Sequence, residues 1–158
     1  MTESLSNDRL TAWRAYIEAS QRLLTRLEDD LRDTSGLSLA DYHVLVLLSE
    51  APGQRLRMGE LAGRLVFSPS RLTYQISSMQ RRGLVARQPC PQDGRGSEAV
   101  LTAAGLLALR EAAPHHLHSV RMHLMDDLDD AEIAFLTRIF TRLGQRLHGT
   151  ASPAHSDR

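Results

Sequence analysis

Apolar positions recur along most of this chain with the period of an α-helix, interrupted by short polar, Gly- and Pro-bearing punctuation. Between about Arg9 and Arg32, Trp13, Tyr16, Ile17, Leu23, Leu24, Leu27 and Leu31 leave a polar face opposite them. This spacing predicts an amphipathic helix closed by Thr34-Ser35-Gly36. Ser38 opens the next helix, with Asp41 three residues on as a short-acid capping box. The apolar run from Tyr42 to Leu48 predicts a buried helix ending before Ala51-Pro52-Gly53. A short helix follows from Met58 to about Val66, with Leu61, Ala62 and Leu65 on one face. Phe67-Ser68-Pro69 interrupts it. Ser68 suits an N-cap and Pro69 a first helical position, so a new helix starts at once. It runs to Arg82 and stops at Gly83, a residue suited to a left-handed C-cap.

Leu84-Val85-Ala86-Arg87-Gln88 and Glu98-Ala99-Val100-Leu101 read as a strand and its return. The segment between them, Pro89 to Gly96, reads as a turn-rich loop. Two helices joined by a tight turn and followed by a two-stranded hairpin make a winged helix-turn-helix. Thr102 caps a long helix that passes Leu109 and reaches Pro114, where a break or kink is expected. Asp129 with Glu132 forms a further capping box. The last helix runs to about Leu147, with Leu136, Phe140, Leu143 and Leu147 spaced as in a coiled-coil seam. The polar tail from Gly149 is expected to be disordered. The expected fold is mainly α with a small β-hairpin wing, in one domain over 1–158. Residues 38–102 form the winged helix-turn-helix, helices at 9–32 and 103–147 flank it, and 149–158 is the tail.

Charge changes this picture. The chain carries 19 basic and 19 acidic side chains, a formal net charge of zero, and every basic one is Arg. A zero total argues against a nucleic-acid partner only if it is uniform. From Arg55 to Ser97 there are eight Arg against Glu60 and Asp93, a net of +6, and the remainder is −6. The basic excess coincides with the helix-turn-helix and the hairpin. No apolar run approaches the ~20 residues a membrane span requires. The polar, acid-bearing start MTESLSNDRL does not resemble a signal peptide, so a cytoplasmic location is expected. One cysteine, Cys90, cannot form an internal disulfide.

A helical wheel at ~100° per residue separates the helix after Ser68 into two faces. Leu72, Ile76 and Met79 form one stripe. Ser70, Tyr74, Ser77 and Arg81 lie opposite, flanked by Arg71, Thr73 and Ser78. The outer face contains no acid, whereas ordinary solvated faces mix both signs. Hydroxyls and guanidinium groups bond phosphates and base edges, and an α-helix fits the major groove of double-stranded DNA. With Ser68 at its start, this helix is the expected recognition helix. In the hairpin, Asp93-Gly94-Arg95-Gly96 places one Arg between two glycines. An Arg on so narrow a tip can enter a minor groove, and Asp93 is placed to hold its guanidinium.

Leu39-Ala40-Asp41-Tyr42-His43-Val44-Leu45, Met58-Gly59-Glu60-Leu61-Ala62, Ser68-Pro69-Ser70-Arg71-Leu72-Thr73, Arg82-Gly83-Leu84-Val85-Ala86-Arg87, Asp93-Gly94-Arg95 and Val100-Leu101-Thr102-Ala103-Ala104-Gly105 follow in that order. Together they resemble the MarR family of transcriptional regulators over about residues 10 to 147. The Asp-x-Arg wing followed by Leu-Thr-x-x-Gly is the most specific part. The resemblance implies a homodimeric winged-helix repressor of a pseudo-palindromic operator, dimerised through its first and last helices. It implies release by a small effector, often an aromatic or phenolic acid. It also makes Arg95 the wing-tip Arg and Asp93 its support. The apolar stripes of the terminal helices exceed what the central module can cover, which independently calls for a partner chain.

Other chemistry is thinner. Trp13, Tyr16, Tyr42 and His43 are candidate effector-pocket residues, since such pockets are apolar with a few polar groups. His115, His116, His118 and His123 crowd together, but no HExxH pattern or neighbouring Cys accompanies them, and no metal or cofactor is expected. A metal- or redox-responsive regulator of the same fold, the latter through Cys90, is the alternative, as is a helical interaction module without DNA binding. No nucleophile elbow, phosphate-binding Gly loop or paired catalytic carboxylates occur, so the chain does not read as an enzyme.

Overall fold

The computed structural model describes residues 5–90 and 93–149; the side chains of 93–95 and 148–149 lie outside the described residues. The expected tail from 150 onward lies outside them too. The chain divides into two compact units after Ser119.

In the first unit, α1 (Asn7–Ser35) leads to α2 (Leu39–Glu50), a 3-10 turn (Pro52–Gln54), β1 (Arg55–Arg57), α3 (Met58–Leu65), α4 (Pro69–Arg81), β2 (Val85–Cys90), β3 (Asp93–Leu101) and α5 (Ala103–Val120). The predicted punctuation acts as expected. Gly36, at φ 69°, ends α1 and donates its N–H to Arg32 O. Ser38 Oγ accepts from Asp41 N at 3.0 Å, and Asp41 Oδ2 accepts from Ser38 N at 2.9 Å, completing the capping box of α2. Thr102 Oγ1 accepts from Gly105 N at 3.0 Å and starts α5.

The core is aliphatic, as the scarcity of aromatic residues requires. Leu31, Leu37, Val44, Leu45, Leu48, Leu61, Leu72, Ile76, Met79 and Val85 are essentially inaccessible to solvent. Gly105 is a point of close approach: a Cβ there would stand 2.0 Å from Leu84 O, so α5 can begin against the wing only at a glycine.

Three expectations are corrected. The sheet has three strands, in the order β1-β3-β2, because Arg55-Leu56-Arg57 pairs antiparallel with Val100-Ala99-Glu98. A three-residue strand carries too little alternation to be read from sequence. The hairpin strands are also longer than predicted, with Pro89 opposite Ser97 and Cys90 opposite Asp93 across a register shift. β2 is an edge strand, where a proline's missing N–H costs no ladder bond. Finally, α5 continues through Pro114, and the irregularity falls later, in a π-helical turn at Arg121–Met125. Pro114 and Arg110 are exposed, so the carbonyl that loses its donor faces water.

Only Leu27 and Leu31 of the α1 stripe are buried, while Trp13 and Leu24 are each 52 % exposed. The second unit contains the π-helical turn and α6 (Asp130–Gly149). Asp129 and Glu132 form the expected capping box, at 2.8 and 3.0 Å. Among its described residues α6 buries none, and Phe135, Phe140 and Leu147 are exposed. No helix among the described residues is long and apolar enough to cross a membrane.

Candidate nucleic-acid interface

The turn between α3 and α4 is set by two residues. Val66 adopts a left-handed conformation (φ 56°), and its N–H reaches back to the end of α3. Ser68 then caps α4, its Oγ accepting from Arg71 N at 3.2 Å, while Pro69 occupies the first turn. Leu72, Ile76 and Met79 of α4 are buried. Ser68, Ser70, Arg71, Thr73, Tyr74 and Arg81 are exposed, as the wheel predicts, whereas Ser77, placed by the wheel on the same outer face, is half-buried. Tyr74 is 73 % exposed. Ser68 and Ser70 hydroxyls lie 3.2 Å apart. Thr73 Oγ1 donates to Pro69 O at 2.9 Å, leaving its lone pairs outward. No acid lies in α4.

The wing is braced at its base. Arg55 Nη1 reaches the buried Glu98 carboxylate at 3.3 Å, tying β1 to β3, and Arg87 Nε donates to Ser97 Oγ at 3.0 Å across the hairpin. Asp93 and Arg95 lie in β3 near the tip, but their side chains, and with them the expected Asp93 support of Arg95, lie outside the described residues. Cys90 is buried at the end of β2, which removes the exposure a redox role needs.

The four aromatic and His candidates fall into two ring pairs. Trp13 and Tyr16, both exposed on α1, have ring centroids 6.0 Å apart and planes tilted by 39°. Tyr42 is buried and packs on the His116 ring at 4.4 Å, with His43 at 6.4 Å. Of the four, only His43 lines a cleft of about 640 Å³ bounded by α1, α2 and α4, along with Glu28, Arg32, Phe67, Arg71 and Gln75. This lining is not readable from sequence, because the cleft brings together residues from α1, α2 and α4 that are distant along the chain. In the structure the Arg71 guanidinium lies 3.9 Å above the Phe67 ring, a cation–π contact at the cleft wall. Among the described residues no three His, Cys, Asp or Glu side chains converge as metal ligands.

Burial pushes the His43 pKa below its ordinary value although part of the residue is exposed, and burial followed by the charge of His43 does the same to His116. His116 Nδ1 is buried without a hydrogen-bond partner. Both rings thus bind protons less readily folded than unfolded. Their contribution to stability is complete above the ordinary value of 6.5 and is lost as pH falls through it toward their folded values. His116→Phe keeps a ring on Tyr42. It is expected to lose less melting temperature than the parent between about pH 7.5 and 5.5; equal losses would remove His116 from the acid response.

A capped helix with an acid-free outer face, packed behind a tight turn and beside a braced hairpin, defines a winged helix-turn-helix protein. The model described as MarR family matches residues 35–96. Among solved structures, the chain is similar to AbsC, a MarR family transcriptional regulator from Streptomyces coelicolor, at 40 % identity and TM-score 0.88 over 94 % of this chain and 100 % of that one. It is also similar to Sco3205 from the same organism, a MarR family regulator solved in complex with DNA, at 34 % identity and TM-score 0.92 over 97 % and 96 % of the two chains. It aligns at 29 % identity with the HTH-type transcriptional repressor YetL of Bacillus subtilis, over 71 % of this chain and 66 % of that protein. The chain belongs to the MarR family of transcriptional regulators and is not an enzyme.

Proposed function

We propose that this chain is a homodimeric, sequence-specific DNA-binding repressor in the cytoplasm, released from its operator by a small molecule. The observation that carries this reading is the exposed, acid-free face of α4 within a segment of net charge +6. The likeness to Sco3205, solved with DNA, supports it. In this reading α4 lies in the major groove, with Ser68, Ser70, Arg71, Thr73, Tyr74, Ser77 and Arg81 on bases and phosphates. Arg95 at the wing tip enters the flanking minor groove with Asp93 behind it. A two-fold dimer places its two recognition helices about one helical turn, ~34 Å, apart, which matches a pseudo-palindromic site. The apolar faces of α1 and α6 supply the dimer contact. The cleft behind α4 is the effector site, because His43 and Gln75 offer hydrogen bonds there, Leu24 and Phe67 offer apolar surface, and Arg71 joins cleft to recognition helix.

The test is duplex binding across a salt series with the full chain. Affinity should fall on a log–log plot with a slope of about 0.9 per phosphate neutralised. A flat dependence, or no binding to any duplex, would favour a protein-interaction module instead.

A further inference from the structure

Asp41 is one of two buried acids among the described residues of the first unit. It sits in the first turn of α2 with its side chain 5 % exposed. Its Oδ2 accepts from Ser38 N at 2.9 Å and from Arg82 Nη1 at 2.7 Å. Its Oδ1 accepts from Gln75 Nε2 at 2.6 Å. Arg82 also donates to Gly36 O at 3.2 Å, so its guanidinium is held at two points. Gln75 and Arg82 belong to the recognition helix and its C-cap, two turns apart on one face. The three apolar anchors of α4 resist its lifting away from the core, but aliphatic contacts are non-directional and tolerate rotation and sliding. Two charge-assisted hydrogen bonds, two turns apart and ending on one fixed carboxylate, oppose both motions. The carboxylate is itself fixed by the capping box of α2.

We propose that Asp41 is a positioning residue for DNA reading: through Gln75 and Arg82 it sets the rotation and register of α4, and so governs discrimination between sequences rather than bulk affinity for DNA. The inference rests on the DNA-binding reading above. Its sign opposes simple electrostatics, because removing a carboxylate near the basic face should by charge alone strengthen binding to every duplex.

The experiment uses the full chain. The wild-type protein enriches a duplex of roughly three helical turns from a randomised pool, and a scrambled duplex of the same length is the control. Asp41→Ala is the first variant; Asn is avoided because a flipped Gln75 amide would satisfy it. Gln75→Met is the second, since it leaves the capping box intact should Asp41→Ala fold poorly. Expected is a fall of about tenfold or more in the ratio of enriched to scrambled affinity, with scrambled binding unchanged or tighter. A merely structural role would lower both affinities with the folded fraction and leave the ratio unmoved. An unmoved ratio in folded Asp41→Ala, or in Gln75→Met if the first does not fold, would overturn the inference alone. Failure of the wild type to enrich any duplex would overturn the DNA-binding reading and this inference with it.

Discussion

Phe140→Asp is expected to leave a folded chain that no longer associates and that binds operator at least 100-fold more weakly. Phe140 is 41 % exposed in the single chain, so a carboxylate there costs the isolated protein little. In the proposed dimer the same position lies in the seam with Leu136, Leu143 and Leu147, where an unpaired charge would be desolvated. The size of the DNA effect comes from linkage between half-sites. A dimer binds its second half-site at high effective concentration, and tethering of this kind is worth about 10²–10⁴ in affinity. Sedimentation equilibrium and a gel shift on the same preparation decide the matter. A monomeric variant with undiminished affinity would separate DNA reading from dimerisation. A variant that stays dimeric would move the interface away from α6.

Arg95→Ala carries the next largest effect. In the proposed reading its guanidinium enters the minor groove, where negative potential is focused, and no other basic side chain stands within five residues of it. Loss of a specific Arg contact costs about 1–3 kcal/mol, or roughly 5- to 150-fold per contact. A two-fold dimer loses two such contacts, whose effects multiply, so the loss should be about 30-fold or more. The variant should remain dimeric and melt as the parent does, because β2 and β3 pair through their backbones and the base of the wing is braced by Arg55–Glu98 and Arg87–Ser97. Fluorescence anisotropy on a labelled duplex reads the loss, and unchanged affinity would show that the wing tip does not touch DNA.

Much of the interface was legible because it depends on local rules. The Ser38–Asp41 and Asp129–Glu132 boxes, the Ser68-Pro69 start of α4 and the Gly36 and Gly83 stops each involve groups within one helical turn. Their chemistry therefore needs no knowledge of the rest of the fold. The two faces of α4 were equally plain, since a helix wheel separates them whatever they pack against. What failed to show was non-local. β1 exists only because β3 offers it a ladder. The hairpin's length depends on pairing across a register shift rather than on alternation. The passage of α5 through Pro114 depends on which carbonyl faces water.

The candidate effector residues show the same division. Trp13, Tyr16, Tyr42 and His43 are residue types suited to a pocket, but the structure separates them into two pairs, and of the four only His43 lines the cleft. Sequence by itself determined the order of the main helices and the hairpin, most of their capped ends, the acid-free face of α4 and the segregation of charge, because these follow from periodicity and neighbours along the chain. Only the tertiary structure decided that Asp41, while closing the capping box of its own helix, would also hold Gln75 and Arg82, and that the Arg71–Phe67 pair would lie at the wall of a cleft. The Asp41 contacts join residues 34 and 41 positions apart, whereas Arg71 and Phe67 stand only four positions apart. The Asp41 contacts have no local signature, because their energy arises only after the core has packed the helices into place.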